Sequence, residues 1–322
     1  AIIEVYTKNS SKLIATFQNI NQEAYYKVLL PNLKGSTDTF DLKVSGAVEV
    51  DFIVDANRYW VGTAGGNTND TANWSSTDPT SCTGGGASVP GPSDIAIFDA
   101  DCDNSATINA NLDVVGININ TGYTGTITQN TGITVTVGTS NYIQADGTFS
   151  GGNSAIDING DFTISGGSFT STSGTMTISG SFTKSGSPTF VANGGTVTFD
   201  GSTVANSSID ASGVTFNKIV INRTVVSGAS PLLTIVSGTT VPLGDTATLT
   251  LDNTGDGGYN LTNNGTITLG TGTWTVNIRG TLTNAGTISG NSLSAWDMNG
   301  NFTNSGSGVL NMTGITSFDF DF

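Results

Sequence analysis

The sequence contains no histidine, the residue that most often moves protons or activates a nucleophile in an enzyme. Ser-His-Asp and Cys-His catalytic arrangements are therefore excluded. The two cysteines cannot close a zinc site without histidine to complete it. The chain also lacks a phosphate-binding loop motif and any apolar run of about 20 residues, the length that spans a bilayer. We therefore expect no membrane span and none of these site chemistries.

Basic residues are scarce as well. The 10 lysines and arginines face 25 acidic residues, which gives a net charge of −15. A surface of this sign repels phosphate backbones and anionic lipid headgroups, so it disfavours nucleic acid and anionic membranes as partners. The acidic, lysine-poor and Thr/Asn-rich composition is typical of secreted proteins. It predicts an extracellular, cell-surface or virion location.

Glycine is abundant, with 43 residues, and such a composition can belong to a disordered chain. Two features argue for a folded protein instead. Hydrophobic residues reach 36% of the chain, and Val, Ile, Leu and Phe occur in short alternating runs. Alternation places apolar side chains on one face of a strand, where they can be buried. We therefore expect an all-β fold.

The composition changes near residue 58. All three glutamates lie within the first 49 residues, and glycine is rare before residue 58 and dense after it. This change predicts a small antiparallel β domain over residues 1–57, for assembly or anchoring, then a capping and cysteine-bearing region over 58–110 and a β-solenoid over 111–322. In the first domain, alternation and turn residues predict strands at residues 2–7, 12–17, 24–30, 39–44 and 48–54.

A repeat of about 20 residues dominates the second half of the sequence. Residues 157–170 (DINGDFTISGGSFT) align with residues 177–190 (TISGSFTKSGSPTF) at an offset of 20, and residues 198–202 begin another copy 21 residues later. Residues 261–267, 282–288 and 302–308 repeat in the same way, at offsets of 21 and 20. Each period holds short strands separated by glycine or Asn-Gly.

Glycine allows the sharp corners that such a coil needs, and one coil cannot bury its own apolar residues. Stacked coils can, because their strands pair at about 4.8 Å with the coils above and below. The repeat therefore predicts a parallel β-solenoid. Thr, Ser and Asn would line its outside and apolar residues its inside, among them Ile158, Phe162, Ile164, Ile178, Phe182 and Phe199. An antiparallel sandwich of hairpins is the competing architecture, which the 20-residue register disfavours.

Four short motifs near the proposed boundary resemble the "YWVGG…GNW" opening of Gly/Thr-rich β-solenoid repeat proteins: residues 58–62 (RYWVG), 70–75 (DTANWS), 87–90 (ASVP) and 94–99 (DIAIFD). The stretch 195–224 is similar to the coils of these proteins, which are bacterial surface adhesins and phage structural proteins. The resemblance covers roughly residues 58 to 320. It implies attachment or assembly and no known reaction.

Two candidate sites lie close together. Cys82 and Cys102 are 20 residues apart in one Gly-rich insertion and predict a local disulfide, with two free thiols as the alternative. Asp99, Asp101 and Asp103 alternate, so an extended backbone would place three carboxylates on one face, where repulsion favours a bound Ca²⁺. Asp70 and Asp94 are further candidates for this group, and a solvated acidic turn is the alternative.

Aromatic residues suggest a third site. Tyr59, Trp60 and Trp74 could stack on sugars, but such a cluster more often caps the open end of a first coil. Paired carboxylates could also serve a tailspike-like polysaccharide depolymerase, with Asp157 and Asp161 as a second candidate pair. Only four basic residues follow Arg58, which disfavours a catalytic groove.

The two ends of the chain suggest self-assembly. Residues 317–322 (SFDFDF) place Phe318, Phe320 and Phe322 on one face of a terminal strand that should be covered. A neighbouring subunit could cover it with its N-terminal domain or by donating the strand that contains Ile2, Ile3 and Val5. The sequence thus predicts a non-enzymatic, self-associating subunit of an extracellular filament or of a virion fibre or decoration. A glycan-binding adhesin or receptor-binding protein is the alternative, and a depolymerase a less favoured one.

Overall fold

A computed structural model describes most of the chain and divides it into two compact units, Ala1–Ile53 and Val54–Phe322. This division lies a few residues before the predicted boundary at 57–58. The residues described are 2–7, 13–18, 40–45, 56–203, 205–225, 232–243, 248–253, 259–269, 274–278, 280–290, 294–298, 300–312 and 319–320.

The first unit contains a three-stranded antiparallel sheet. Its strands are β1 (Ile2–Thr7), β2 (Leu13–Gln18) and β3 (Phe40–Ser45), and their order in the sheet is β2-β1-β3. Three of the five predicted strands correspond to these to within one residue at either end. The other two, at residues 24–30 and 48–54, lie outside the described residues.

The second unit is built of short strands with two 3₁₀ helices, Thr71–Asn73 and Ala100–Cys102. Among the described residues, no helix is long and apolar enough to cross a membrane. Strands β4 to β22 are Ala56–Trp60, Gly66–Asn67, Trp74–Ser75, Asp94–Phe98, Ala106–Ile108, Leu112–Val114, Gly116–Ile119, Thr126–Gln129, Val135–Val137, Tyr142–Gln144, Thr148–Ser150, Ile156–Ile158, Phe162–Ile164, Ser168–Thr170, Thr175–Ile178, Phe182–Lys184, Thr189–Val191, Thr196–Phe199 and Ser202–Thr203. Strands β23 to β36 are Ser207–Asp210, Lys218–Val225, Leu232–Ile235, Thr240–Leu243, Thr248–Asn253, Asn260–Asn263, Thr266–Leu269, Trp274–Ile278, Leu282–Asn284, Thr287–Gly290, Ser294–Met298, Phe302–Asn304, Val309–Met312 and Asp319–Phe320.

These strands form three sheets of twelve, six and fifteen strands. Successive strands of one coil enter the three sheets in turn, as β13, β14 and β15 do, and each strand then pairs with its equivalent in the next coil. All pairing among the described strands of this unit is parallel except that of β4 with β6. This topology confirms the predicted parallel β-solenoid and rules out the antiparallel sandwich.

The strand register reproduces the sequence repeat. Tyr142 pairs with Phe162 and Phe162 with Phe182, each 20 residues on, and all three side chains are buried. Their rings lie 5.1 and 5.0 Å apart between centroids. In the six-stranded sheet Phe149 stacks on Phe169 at 5.1 Å. Apolar residues of successive coils therefore form continuous ladders in one dry core, where each burial of a large side chain contributes roughly 1.5–3 kcal/mol.

One corner shows why glycine recurs. Gly147, Gly167 and Gly186 occupy the turn between the twelve- and six-stranded sheets in three successive coils, all with φ near +65°. A Cβ at Gly167 would lie 2.1 Å from the carbonyl oxygen of Gly147 in the coil below. Both the left-handed backbone and the close approach of neighbouring coils therefore require glycine here.

The coil changes its cross-section at β24. This strand pairs with β21 on one side and with both β26 and β27 on the other, and the six-stranded sheet ends at β20. Arg223 of β24 points inward and is completely buried. Its guanidinium donates to the carbonyl oxygens of Ser179 and Gly180 and lies 6.0 Å from the ring centre of Phe199.

Later coils carry a ladder of amides inside the solenoid. Asn263 donates to Asn284 Oδ1 at 2.8 Å, and Asn284 donates to Asn304 Oδ1 at 2.7 Å. The same amides donate to the backbone carbonyls of Thr287 and Val309 in the following coils. Asn263 and Asn284 are fully buried, so this ladder satisfies polar groups that would otherwise be costly to bury.

Candidate functional site

The first coil is closed by a cluster of aromatic rings. β6 pairs antiparallel with β4 and sets Trp74 opposite Trp60, with the ring centroids 5.4 Å apart in an edge-to-face arrangement. Phe98 contacts both indoles. The Trp60 indole N–H donates to the carbonyl of Asn104 at 2.9 Å, and that of Trp74 donates to Thr68 at 2.7 Å. The cluster thus packs as a lid over the first apolar rung.

This packing corrects the predicted glycan site. Trp60 and Trp74 are both 0% exposed, so neither ring offers a face to a sugar. Of the two roles weighed for these residues, the structure contradicts sugar stacking and supports the cap over the first coil that the sequence favoured, because burial of both indoles stabilises the fold. Tyr59 is half-buried, and its hydroxyl accepts a hydrogen bond from Asn57 at 3.0 Å. Of the three rings proposed to stack on sugars, only that of Tyr59 is partly exposed.

The two cysteines are joined. Cys82 and Cys102 form a disulfide with their Cα atoms 4.7 Å apart. Asn104 supports it by donating to Cys82 Sγ at 3.1 Å and to the carbonyl of Gly62 at 2.9 Å. The bridge ties the Gly-rich insertion to the 3₁₀ helix Ala100–Cys102 beside the aromatic lid, as the sequence predicted for a loop with little core of its own.

An acidic cluster lies next to this disulfide. Carboxylate oxygens of Asp78, Asp99 and Asp101 all lie within 4.8 Å of one another. Asp99 caps the short 3₁₀ helix by accepting a hydrogen bond from the backbone N–H of Asp101 at 3.2 Å. Asp78 comes from the insertion, four residues before Cys82, and the disulfide brings it here. Three oxygen donors of this kind are those that a hard cation such as Ca²⁺ would take.

The predicted set of ligands is therefore wrong in one member. Asp103 lies outside the cluster, and its carboxylate accepts a hydrogen bond from Thr124 Oγ1 at 2.6 Å. The prediction assumed an extended backbone, whereas residues 100–102 form a helical turn that breaks the alternation. The further candidates are also engaged elsewhere. Asp70 caps the other 3₁₀ helix, and Asp94 forms an ion pair with Arg58 at 3.5 Å.

The surroundings of Asp99 disfavour its charged form. Partial burial raises the pKa of Asp99 above its ordinary value, and the neighbouring charges of Asp78 and Asp101 raise it further. The hydrogen bond from the Asp101 N–H opposes this shift by stabilising the carboxylate. Sequence reasoning missed Asp78, because the only signal was its nearness in sequence to Cys82.

The predicted assembly residues lie at two places. Ile2, Ile3 and Val5 belong to β1, which pairs with β2 on one edge and with β3 on the other. Both edges of β1 are therefore occupied within the chain, and the prediction that this strand is donated to a neighbour is wrong for this fold. Phe320 lies in β36, whose backbone pairs in parallel with β33. Phe318 and Phe322 lie outside the described residues.

No protein-family model matches this chain, and neither a curated protein nor a solved structure matches it. The fold alone defines its class, which is a parallel β-solenoid with a disulfide-pinned aromatic lid. The resemblance of residues 58–99 to the opening of surface and phage repeat proteins stays a prediction.

Proposed function

We propose that this chain is a non-enzymatic structural subunit that associates with itself to build an extracellular filament or a virion fibre or decoration. The observation that carries this proposal is the continuous core of the solenoid. Buried residues contact one another from Trp60 in the first coil to Ile288 near the last. A stack of this kind is stiff along its length, and strands at the end of a solenoid can pair with strands of a second subunit, so it suits a building block.

The use of the acidic residues supports a structural role over catalysis. Asp161 accepts a hydrogen bond from the backbone N–H of Ser181 in the next coil at 2.7 Å. Asp157 accepts one from the hydroxyl of Thr177, also one coil on. Each carboxylate of this second candidate pair therefore ties two coils together, and a group held in this way is poorly placed to protonate a glycosidic oxygen.

The last described coil offers the surface through which such a subunit would associate. Leu282 and Ile288 are buried in the preceding coil, whereas their equivalents Phe302 and Leu310 are only partly buried. Val309 beside them is 49% exposed. Among the described strands of the first unit, β2 and β3 are the outer ones, and the proposal places the pairing at their outer edges. Contact between such unlike surfaces is heterologous, and it leads to an open polymer when the rotation between subunits does not close a ring.

Deletion of residues 317–322 tests the proposal. We expect the wild-type protein to form filaments or large oligomers, seen by negative-stain microscopy and sedimentation velocity, and the shortened chain to stay monomeric with an unchanged far-UV spectrum. Val309→Lys should weaken assembly in the same assays. Ile143→Lys is the matched control, because Ile143 is also an exposed aliphatic residue, at 39%, but lies in the middle of the solenoid. Unaltered filaments after the deletion would refute this mode of assembly.

A further inference from the structure

The outer surface of the six-stranded sheet carries two parallel rows of hydroxyl groups. In the first row Thr126 pairs with Thr148, Thr148 with Ser168 and Ser168 with Thr189. The second row lies two residues further along each strand. Its members, paired in the same way, are Thr107, Thr128, Ser150 and Thr170. We call this surface the hydroxyl face.

The hydroxyl face is uncharged in a strongly acidic protein. None of the six strands contains an Asp, Glu, Lys or Arg, whereas the net charge of the chain is −15. The strands of the other two sheets do carry charges, such as Asp113 and Asp157 in the fifteen-stranded sheet and Lys184 in the twelve-stranded one. The face therefore offers no electrostatic attraction that would favour an ion or a charged polymer as its ligand.

Most of these hydroxyls are available to a ligand outside the protein. Thr107 donates to the carbonyl of Gly65 at 3.2 Å. The side-chain hydroxyls of the other members have no hydrogen-bond partner within the part of the chain that the structure describes. The central members are half-buried, and they alternate along each strand with buried side chains such as Phe149 and Phe169, which places them on the outer side of the sheet. Their hydrogen-bonding capacity is therefore directed to solvent or to a ligand.

The spacing of the rows is regular because the core behind them is regular. Phe149, Phe169 and Phe190 stack directly beneath, with interplanar angles of 11° and 16°. Hydroxyls in one row are separated by the coil spacing of about 4.8 Å, and the two rows by about 6.6 Å, two residues of a strand. The result is a rigid lattice of threonine and serine hydroxyls and threonine methyl groups with these two spacings.

The size and chemistry of the face decide between ligands. The rows cover roughly 20 Å by 7 Å, on the order of 150 Å². A stable protein interface needs about 800 Å² on each partner, so a protein is disfavoured. Aromatic rings that stack on a sugar must be exposed, and the aromatic side chains of these strands belong to the inner stack, so a sugar is disfavoured. A periodic surface that presents oxygen atoms at similar spacings, such as the surface of hexagonal ice, is the ligand that this face favours.

We propose that the hydroxyl face binds ice. Threonine methyl groups force water into ordered cages around them, and the adjacent hydroxyls anchor those waters by hydrogen bonds. The regular rows then hold a layer of water that a growing crystal can incorporate without first removing it. Ice binding does not depend on the proposed structural role, since a filament subunit can have this activity or be without it.

Thermal hysteresis, the gap between the melting and freezing points of a crystal in protein solution, tests the inference directly. We expect the wild-type protein to show hysteresis and to enter a slowly growing ice hemisphere. Thr128→Tyr should abolish both, because the ring projects above the rows and separates them from the crystal. Thr128→Val, which keeps the shape and removes one hydroxyl, should reduce the hysteresis. Thr163→Tyr is the control, since Thr163 faces outward in β16 of the twelve-stranded sheet.

Each result decides the matter once circular dichroism and melting temperature show that the variants fold. The inference is overturned if the wild-type protein shows no hysteresis and is excluded from ice, or if Thr128→Tyr remains as active as Thr163→Tyr. Insoluble cellulose and chitin also present regular rows of hydroxyl groups, so a parallel pull-down with them tests a polysaccharide as the alternative ligand. Binding there that Thr128→Tyr removes, without hysteresis, would assign the face to a polysaccharide and overturn the ice assignment.

Discussion

The guanidinium of Arg223 donates to the carbonyl oxygen of Gly180 at 2.6 Å, across two coils of the solenoid. The same group donates to Ser179 at 2.7 Å and approaches the carbonyl of Ile178 at 3.4 Å. A buried charge is costly, and here the cost is offset by three carbonyl dipoles at one corner. The residue lies where the coil changes cross-section, so we infer that it joins the two parts of the solenoid.

Arg223→Met should destabilise the protein by about 3 kcal/mol or more. Removal of the guanidinium leaves buried carbonyls without a donor, and each such group costs about 1–3 kcal/mol. Arg223→Lys should recover only part of the loss, because an ammonium cannot reach three carbonyls with the geometry of a planar guanidinium. Urea unfolding followed by circular dichroism measures the change. Lys218→Met in the same strand is the control and should stay within about 0.5 kcal/mol of wild type.

The buried amide ladder predicts a pH-dependent defect. Asn284→Asp replaces the donor to Asn304 with a carboxyl group in a fully buried position. Burial favours the neutral acid, so its pKa in the folded state is raised above that in the unfolded state. The neutral carboxyl is therefore tolerated at low pH, and the variant loses stability as the pH rises through the folded-state pKa of this group. We expect a lower melting temperature than wild type at pH 7 and a much smaller difference at pH 4.

Asn264→Asp is the matched control for that experiment, because Asn264 is adjacent in sequence to a ladder member but exposed. Its melting temperature should follow that of wild type at both pH values. An Asn284→Asp protein that is equally destabilised at pH 4 and pH 7 would show that lost packing, rather than a buried charge, explains the effect.

The sequence was sufficient where a periodic pattern determines the structure. The alignment of Asp157 with Thr177, and of Leu261 with Leu282, is the strand register that the fold has, since stacking of similar coils leaves no other way to continue the apolar rungs. The disulfide followed from two cysteines in one loop. A feature that occurs only once and outside the repeat could not be predicted in this way, and the buried Arg223 at the change of cross-section is an example.

Local geometry explains the other errors. Asp103 was grouped with Asp99 and Asp101 by a period of two, which holds only in a strand, and one 3₁₀ turn cancels it. Strand β1 was proposed as a donor because the sequence predicted β3 as a strand but did not show that β3, more than 30 residues away, pairs with β1. Trp60 was assigned two roles from its type alone, and only burial distinguishes them.

Asp99→Asn should stabilise the protein at neutral pH. The pKa of Asp99 is raised above 3.8 by burial and by the charges of Asp78 and Asp101. A raised folded-state pKa means that the carboxyl favours the native state below the unfolded value and that this contribution is lost as the pH rises through the folded value. Asparagine removes the charge and still caps the helical turn. The melting temperature should therefore exceed that of wild type at pH 7 and equal it at pH 3.

Asp103→Asn provides the comparison, because it removes one negative charge outside the cluster and keeps an acceptor for Thr124. We expect it to change the melting temperature less than Asp99→Asn does at pH 7. Equal stabilisation by the two variants would attribute the effect to net charge alone and contradict the specific repulsion within the cluster.

Loss of the disulfide should loosen the lid more than it loosens the solenoid. The bridge closes a loop with a sequence separation of 20, which contributes about 3 kcal/mol when its main effect is on the unfolded chain. A Cys82→Ser/Cys102→Ser double variant should therefore melt at a lower temperature. Backbone amides near Trp60 and Trp74 should exchange faster with deuterium, because Asp78 and the insertion are no longer fixed beside the first coil. Amides of β13 to β18 should keep their protection, since their coils pair on both sides. Uniformly faster exchange along the whole solenoid would instead mean that the lid nucleates the entire stack.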